Sequence, residues 1–139
     1  MNREKLSAED VALVEKAVET AERLYLKDVH EVAASLRTQT GLVFSGIHIE
    51  ADVGFADICG EVSAICHAVA HGHRDIAAIV AVYRDDAGQT EILPPCGRCR
   101  EVISDLNPHC WVIVGTRDDP FKVDVSELLP LKSGDAGLW

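Results

Sequence analysis

Pro95-Cys96-Gly97-Arg98-Cys99-Arg100, read together with Cys59-Gly60-Glu61 upstream, is the stretch from which the rest of this sequence can be ordered. Each fragment precedes an apolar pattern with helical spacing, so each lies where a strand or loop feeds a helix N-terminus. Cys96 and Cys99 are three positions apart, which turns both side chains to the same side of a first helical turn. Helix starts carry unpaired N–H groups and partial positive charge, and both favour thiolate over thiol. With Cys59 at the start of a neighbouring helix, three thiolates can converge on one metal. Three protein ligands leave tetrahedral zinc one open position, the arrangement of a catalytic rather than a structural site. Glu61, two residues beyond Cys59, can face such a metal without ligating it, where a carboxylate is placed to carry protons.

Working outward, Val62, Ile65, Cys66 and Val69 form an apolar helical stripe, and Gly72 sits where that helix can stop. Ile76 to Tyr83 is a near-continuous apolar run, as expected of a strand covered on both faces. Pro94-Pro95 opens the next helix, with Cys99, Val102, Ile103 and Leu106 as its stripe and Asn107-Pro108 as its end. Cys110 to Gly115 reads as another buried strand, and Val125 to Leu129 as a short last helix. Upstream, Val29 to Leu36 and Leu42 to Ile49 read as two strands joined as a hairpin around Thr38-Gln39-Thr40-Gly41. Before them Ser7 caps a helix, and Val11, Val14, Val18, Ala21 and Tyr25 recur at helical spacing to about Leu26. The order helix, hairpin, helix, strand, helix, strand predicts an α/β fold in three layers, a mixed sheet flanked by helices. No repeat or linker divides the chain, so residues 1–139 read as a single domain with a flexible tail at about 132–139, ending in Trp139.

Composition narrows the partners. The chain has 139 residues, 47% of them hydrophobic, and a domain of this size buries roughly two-thirds of its unfolded surface without staples. Thirteen Lys and Arg stand against 23 Asp and Glu, a formal charge of −10. Polynucleotide binding needs a basic stripe, and none is present, so a small-molecule substrate is expected. No stretch reaches the roughly 20 apolar residues of a membrane span, and the polar N-terminus lacks a signal-peptide apolar region. A cytoplasmic protein is therefore expected. Five cysteines do not suit a fully paired disulfide framework and point to metal or redox chemistry. A redox pair at Cys96 and Cys99 would leave Cys59-Gly60-Glu61 without a role. A structural zinc site would need a fourth ligand, yet Cys66 is two turns from Cys59, about 10 Å along a helix, and Cys110 falls in a strand.

These fragments resemble the small cytidine deaminase family, which includes blasticidin S deaminase. The family's Cys-Ala-Glu corresponds to Cys59-Gly60-Glu61, and its Pro-Cys-Gly-x-Cys-Arg to Pro95 through Arg100. Arg98 between the cysteines resembles the blasticidin S branch. Val32-Ala33-Ala34-Ser35-Leu36 is similar to the family's Val-Gly-Ala-Ala-Leu strand, with Gly41 at its turn glycine. Gly46-Ile47-His48-Ile49-Glu50 stands where the family has Gly-x-Asn-Val-Glu, and Glu127-Leu128-Leu129-Pro130 matches the closing Glu-Leu-Leu-Pro. The resemblance implies a cytidine-deaminase-like fold and Zn²⁺ held by Cys59, Cys96 and Cys99. It further implies Glu61 as catalytic proton carrier, a homotetramer, and conversion of cytidine or deoxycytidine to the uridine form with release of ammonia.

Departures from the family lie around the substrate. The family's substrate-contacting Phe is His30 here and its ribose-binding Asn is His48, while the ribose-binding Glu persists as Glu50. All three positions are expected to bind substrate. The aromatic residue that follows Leu-Leu-Pro is Ser133, leaving Trp139 as the nearby aromatic. The Arg that often follows the catalytic Glu is Val62, so the charge of three thiolates needs another counterweight. Arg98 and Arg100 are the candidates. Two alternatives to cytidine deamination stand beside it, deamination of another aminated heterocycle such as a blasticidin S-like nucleoside, and a catalytically silent zinc-stabilised domain.

Overall fold

In the computed structural model, which describes residues 1–134, the chain begins with helix α1 (Ala8–Leu24), started by a reciprocal capping box between Ser7 and Asp10. A tight turn at Lys27-Asp28, with Asp28 at φ 62°, pairs Leu26 with His30. The hairpin β1 (Val32–Thr38) and β2 (Val43–Ile47) follows, then a single 3-10 turn at Gly54–Ala56 and helix α2 (Gly60–Ala70). Next come β3 (Ile76–Arg84), β4 (Thr90–Leu93), helix α3 (Gly97–Leu106), β5 (Trp111–Gly115), β6 (Pro120–Asp124) and a 3-10 turn at Val125–Leu128.

The six strands form one mixed sheet in the order β2-β1-β3-β5-β6, with β4 beside β3. β5 runs parallel to the first half of β3, where Ala78 faces Trp111. β4 runs antiparallel along the second half of the same edge, where Ala81 faces Leu93. Alternation along the strands divides the core in two. Ala33, Ala78, Val80 and Val82 pack with the α1 stripe of Leu13, Val14, Ala17, Val18 and Ala21. Ala34, Leu36, Ile79 and Ala81 face the other way, against Ala64, Ile65 and Ala68 of α2 and Cys99 and Ile103 of α3. The α/β fold is thus three-layered, as the pattern predicts, and α2 and α3 share one face of the sheet.

Two features lock the layers. A Cβ on Gly46 would lie 2.1 Å from the Ala64 backbone nitrogen, so only glycine lets β2 approach α2 this closely. Side chains of α2 also cover the exposed edge of β2: the Ile47 N–H donates to Ser63 Oγ and His67 Nδ1 donates to the Ser45 carbonyl. On the opposite face Asp10, fully buried, bonds Arg37 Nη2 of β1 at 2.8 Å and Lys122 Nζ of β6 at 2.7 Å. Burial alone would raise the Asp10 pKa, but Lys122, the Ser7 N–H and Arg37 outweigh it and hold the carboxyl well below the usual carboxylate range.

The sequence pattern missed β4 and β6. β4 has four residues and shares an edge with β5, so no isolated apolar run marks it. β6 begins at Pro120, a residue that ordinarily demotes a strand, and survives because it is an edge strand. β1 starts at Val32 rather than Val29 because the Leu26–His30 turn occupies the preceding residues. α3 starts at Gly97, since Pro94-Pro95 carries the chain out of β4 instead of opening the helix. Trp139 and most of the expected tail lie outside the described residues.

Candidate active site

The zinc fragments meet because both helices that carry them pack on the same sheet face. Cys59 is the N-cap of α2 and Cys96 the N-cap of α3, each with extended backbone and no side-chain cap hydrogen bond. Cys99 lies one turn into α3. The Cys59 and Cys96 sulfurs stand 3.5 Å apart, and those of Cys96 and Cys99 3.6 Å apart. Zinc–sulfur bonds of about 2.3 Å in a tetrahedron place sulfurs about 3.8 Å from one another. The three side chains therefore fit the ion, and Cys59, Cys96 and Cys99 form a three-ligand group with no fourth protein ligand among the described residues. That leaves one coordination position for chemistry.

The surroundings shift the three thiols in different directions. Burial pushes the Cys59 thiol up, and it pushes Cys99 far above the ordinary thiol range, with the Glu61 charge adding to it. For Cys96 burial also acts upward, but the Cys99 backbone N–H and the hydrogen bond with Cys59 pull it below its usual value. A divalent cation reverses the upward shifts, because a coordinating thiol gives up its proton outright. Glu61 sits in the first turn of α2, only 5% exposed, and its Oε2 accepts the Cys99 S–H at 3.4 Å. Burial raises its pKa, which makes the carboxylate a readier proton acceptor than an exposed one.

Glu61, Cys59 and Cys96 line a cavity of about 280 Å³ together with Val32, Leu93, Pro94 and His48. The apolar side chains of Val32, Leu93 and Pro94 suit a flat ring, beside a small number of polar groups. Sequence reasoning missed Leu93 and Pro94. They reach the site because β4 ends there, and the signal available was the Leu93-Pro94-Pro95 run directly before Cys96.

Of the expected substrate residues, His48 lines this cavity, while His30 and Glu50 are joined to it by hydrogen bonds to His48. His30 Nδ1 donates to the His48 carbonyl at 2.8 Å, and His48 Nε2 lies 2.9 Å from Glu50 Oε2. Glu50 and Asp57 come within 4.8 Å of His48 through their ligating atoms, a grouping the sequence did not announce. Arg98 and Arg100 are elsewhere engaged. Arg98 donates to the carbonyls of Asp57 and Phe55, and Arg100 to those of Pro95 and Leu128. Neither guanidinium donates to a cysteine sulfur among the described residues, so any balance of the thiolate charge by Arg98 or Arg100 would act through space rather than through a hydrogen bond. Cys59 and Cys96 cap two helix N-termini, whose partial positive charge favours anionic sulfur there.

Fold and site together define a zinc-dependent hydrolase of the cytidine-deaminase kind. Residues 7–115 match the model of the cytidine and deoxycytidylate deaminase zinc-binding region, and the chain belongs to this family. It is 41% identical over 131 residues to blasticidin-S deaminase of Bacillus cereus, covering 91% of this chain and 94% of that protein. It is 35% identical over 122 residues to a cytidine deaminase of Halalkalibacterium halodurans, covering 85% and 89%. The crystal structure of the cytidine deaminase from Bacillus anthracis superposes with a TM-score of 0.79 at 19% identity, over 94% of this chain and 93% of that one. The chain is accordingly a zinc-dependent deaminase of cytidine-like substrates.

Proposed function

We propose that the chain, working as one deaminase domain, hydrolyses the exocyclic C–N bond of cytidine or deoxycytidine, leaving the uridine form and free ammonia. The observation that carries this reading is that Cys59, Cys96 and the buried Glu61 line one cavity with Val32, Leu93 and Pro94, while the fully buried Cys99 completes the three-thiol group. Zinc held by Cys59, Cys96 and Cys99 supplies Lewis-acid activation of water. Glu61 takes one proton from the attacking water and passes it to the ring nitrogen, then takes the second from the newly attached hydroxyl and gives it to the departing amine, so that the C–N bond breaks as the carbonyl forms. Val32, Leu93 and Pro94 hold the ring and keep bulk water off the reacting carbon. The hydrogen-bonded group of His30, His48 and Glu50 serves the part of the substrate beyond the ring.

A second reading is favoured by the 41% identity to a blasticidin-S deaminase over nearly the whole chain. In it the same chemistry acts on an aminoacylated cytosine nucleoside, and His30 and His48 replace groups suited to a plain nucleoside. An ammonia-release screen with zinc-loaded protein over cytidine, deoxycytidine, cytosine and blasticidin S decides between them. The most rapidly deaminated compound identifies the class. No ammonia from any of the four, with zinc bound, would establish instead a silent zinc-stabilised domain.

We also propose a cytoplasmic homotetramer. The rim beside the cavity carries exposed Val53, Phe55 and Ile58, apolar surface that a neighbouring copy would cover. Light scattering at micromolar concentration tests it, and a monomer would refute it.

A further inference from the structure

His48 lies on the wall of the cavity, yet both of its ring nitrogens are already engaged. Its Nδ1 accepts the backbone N–H of Glu31 at 3.4 Å, so the proton of the neutral ring sits on Nε2. That Nε2–H points at Glu50 Oε2, 2.9 Å away. The ring's backbone is pinned as well. The His48 N–H donates to the Val32 carbonyl at 2.8 Å, and the His48 carbonyl accepts from His30 Nδ1 at 2.8 Å. An imidazole held this way has no nitrogen left to offer a substrate. Glu50 differs, because its side chain is 49% exposed and a carboxylate accepts several hydrogen bonds at once.

We propose that His48 is a positioning residue: it aims Glu50, the carboxylate that the proposed function already assigns to the substrate beyond its ring. His30 acts one step further back, by fixing the backbone that carries His48. A carboxylate only accepts hydrogen bonds, so the group it selects is a donor, a hydroxyl or a protonated amine. This assignment rests on the deaminase reading above and deepens it.

The test is a double-mutant cycle on kcat/KM with the best substrate from the screen, in zinc-loaded protein of verified metal content. Glu50→Ala should lower kcat/KM roughly 10- to 100-fold, as expected for a lost hydrogen bond to a charged group, chiefly through KM. His48→Phe should lose much of the same factor, and the double variant should be no worse than Glu50→Ala alone. His48→Gln can place an amide N–H where the ring Nε2–H stood and should recover most of the loss. His48→Asn is too short to reach and should not. Multiplying losses in the double variant, or equal activity of the Gln and Asn variants, would overturn the assignment. A readout independent of turnover comes from ¹⁵N-histidine NMR of the unmutated protein. His48 should show the neutral Nε2–H tautomer, and an Nδ1–H tautomer would overturn the proposal even if every variant misfolds. A wild-type enzyme that releases no ammonia overturns the deaminase reading instead, which keeps the two failures distinct.

Discussion

Replacing Glu61 by glutamine removes one titratable oxygen and almost nothing else. The side chain is 5% exposed and its Oε2 meets Cys99 Sγ at 3.4 Å, so an isosteric amide leaves no void and can still accept that contact. The three sulfurs are untouched, and the variant should fold and hold zinc. What the amide cannot do is take a proton from water and return it. Such positioned transfers contribute about 10²- to 10⁴-fold, equivalent to roughly 2.7 to 5.5 kcal/mol of barrier. Two successive transfers pass through the one carboxyl, which puts the expected loss in kcat toward the upper end. The assay is continuous ammonia release under saturating substrate, with zinc measured on the same sample. Turnover within tenfold of wild type at full zinc content would refute the assignment of Glu61 as proton carrier.

Alanine at Cys59, Cys96 or Cys99 should each abolish tight zinc binding, read by elemental analysis. Full zinc occupancy in any one of the three would remove that residue as a ligand. Asp10→Asn leaves Arg37 and Lys122 without their buried counter-charge and should cost about 3–5 kcal/mol, a fall in Tm of roughly 10–20 °C. Because the folded Asp10 pKa lies below its unfolded value, this stability is present above about pH 4 and lost as pH falls through the folded pKa. The gap between wild type and Asp10→Asn in thermal melts should therefore narrow with acid, and a gap that widens would contradict the sign. Gly46→Ala puts a Cβ into the α2 backbone and should destabilise at or beyond the top of the ~1–3 kcal/mol range of overpacking. A melt unchanged from wild type would show that β2 and α2 are not in this contact.

What the sequence determined by itself is what local spacing can encode. Cys59, Glu61, Cys96 and Cys99 were legible because ligand chemistry tolerates few residue types and because each fragment starts a helix with a readable apolar stripe. The layers were legible too, since α1 and the β3 run carry clear periodicities. Tertiary structure decided the rest. That β4 shares an edge with β5, and so brings Leu93 and Pro94 to the cavity, follows from strand pairing that no short run announces. That Arg98 and Arg100 spend their donors on carbonyls rather than sulfur depends on where the 51–58 loop and the closing 3-10 turn come to rest. The same holds for His48, whose residue type permits either tautomer and many partners. Only the Glu31 N–H on one side and Glu50 on the other, brought together by the turn at Lys27-Asp28 and the end of β2, fix which nitrogen carries the proton. Hydrogen-bond direction belongs to pairs of residues distant in sequence, and that is why the sequence alone left it open.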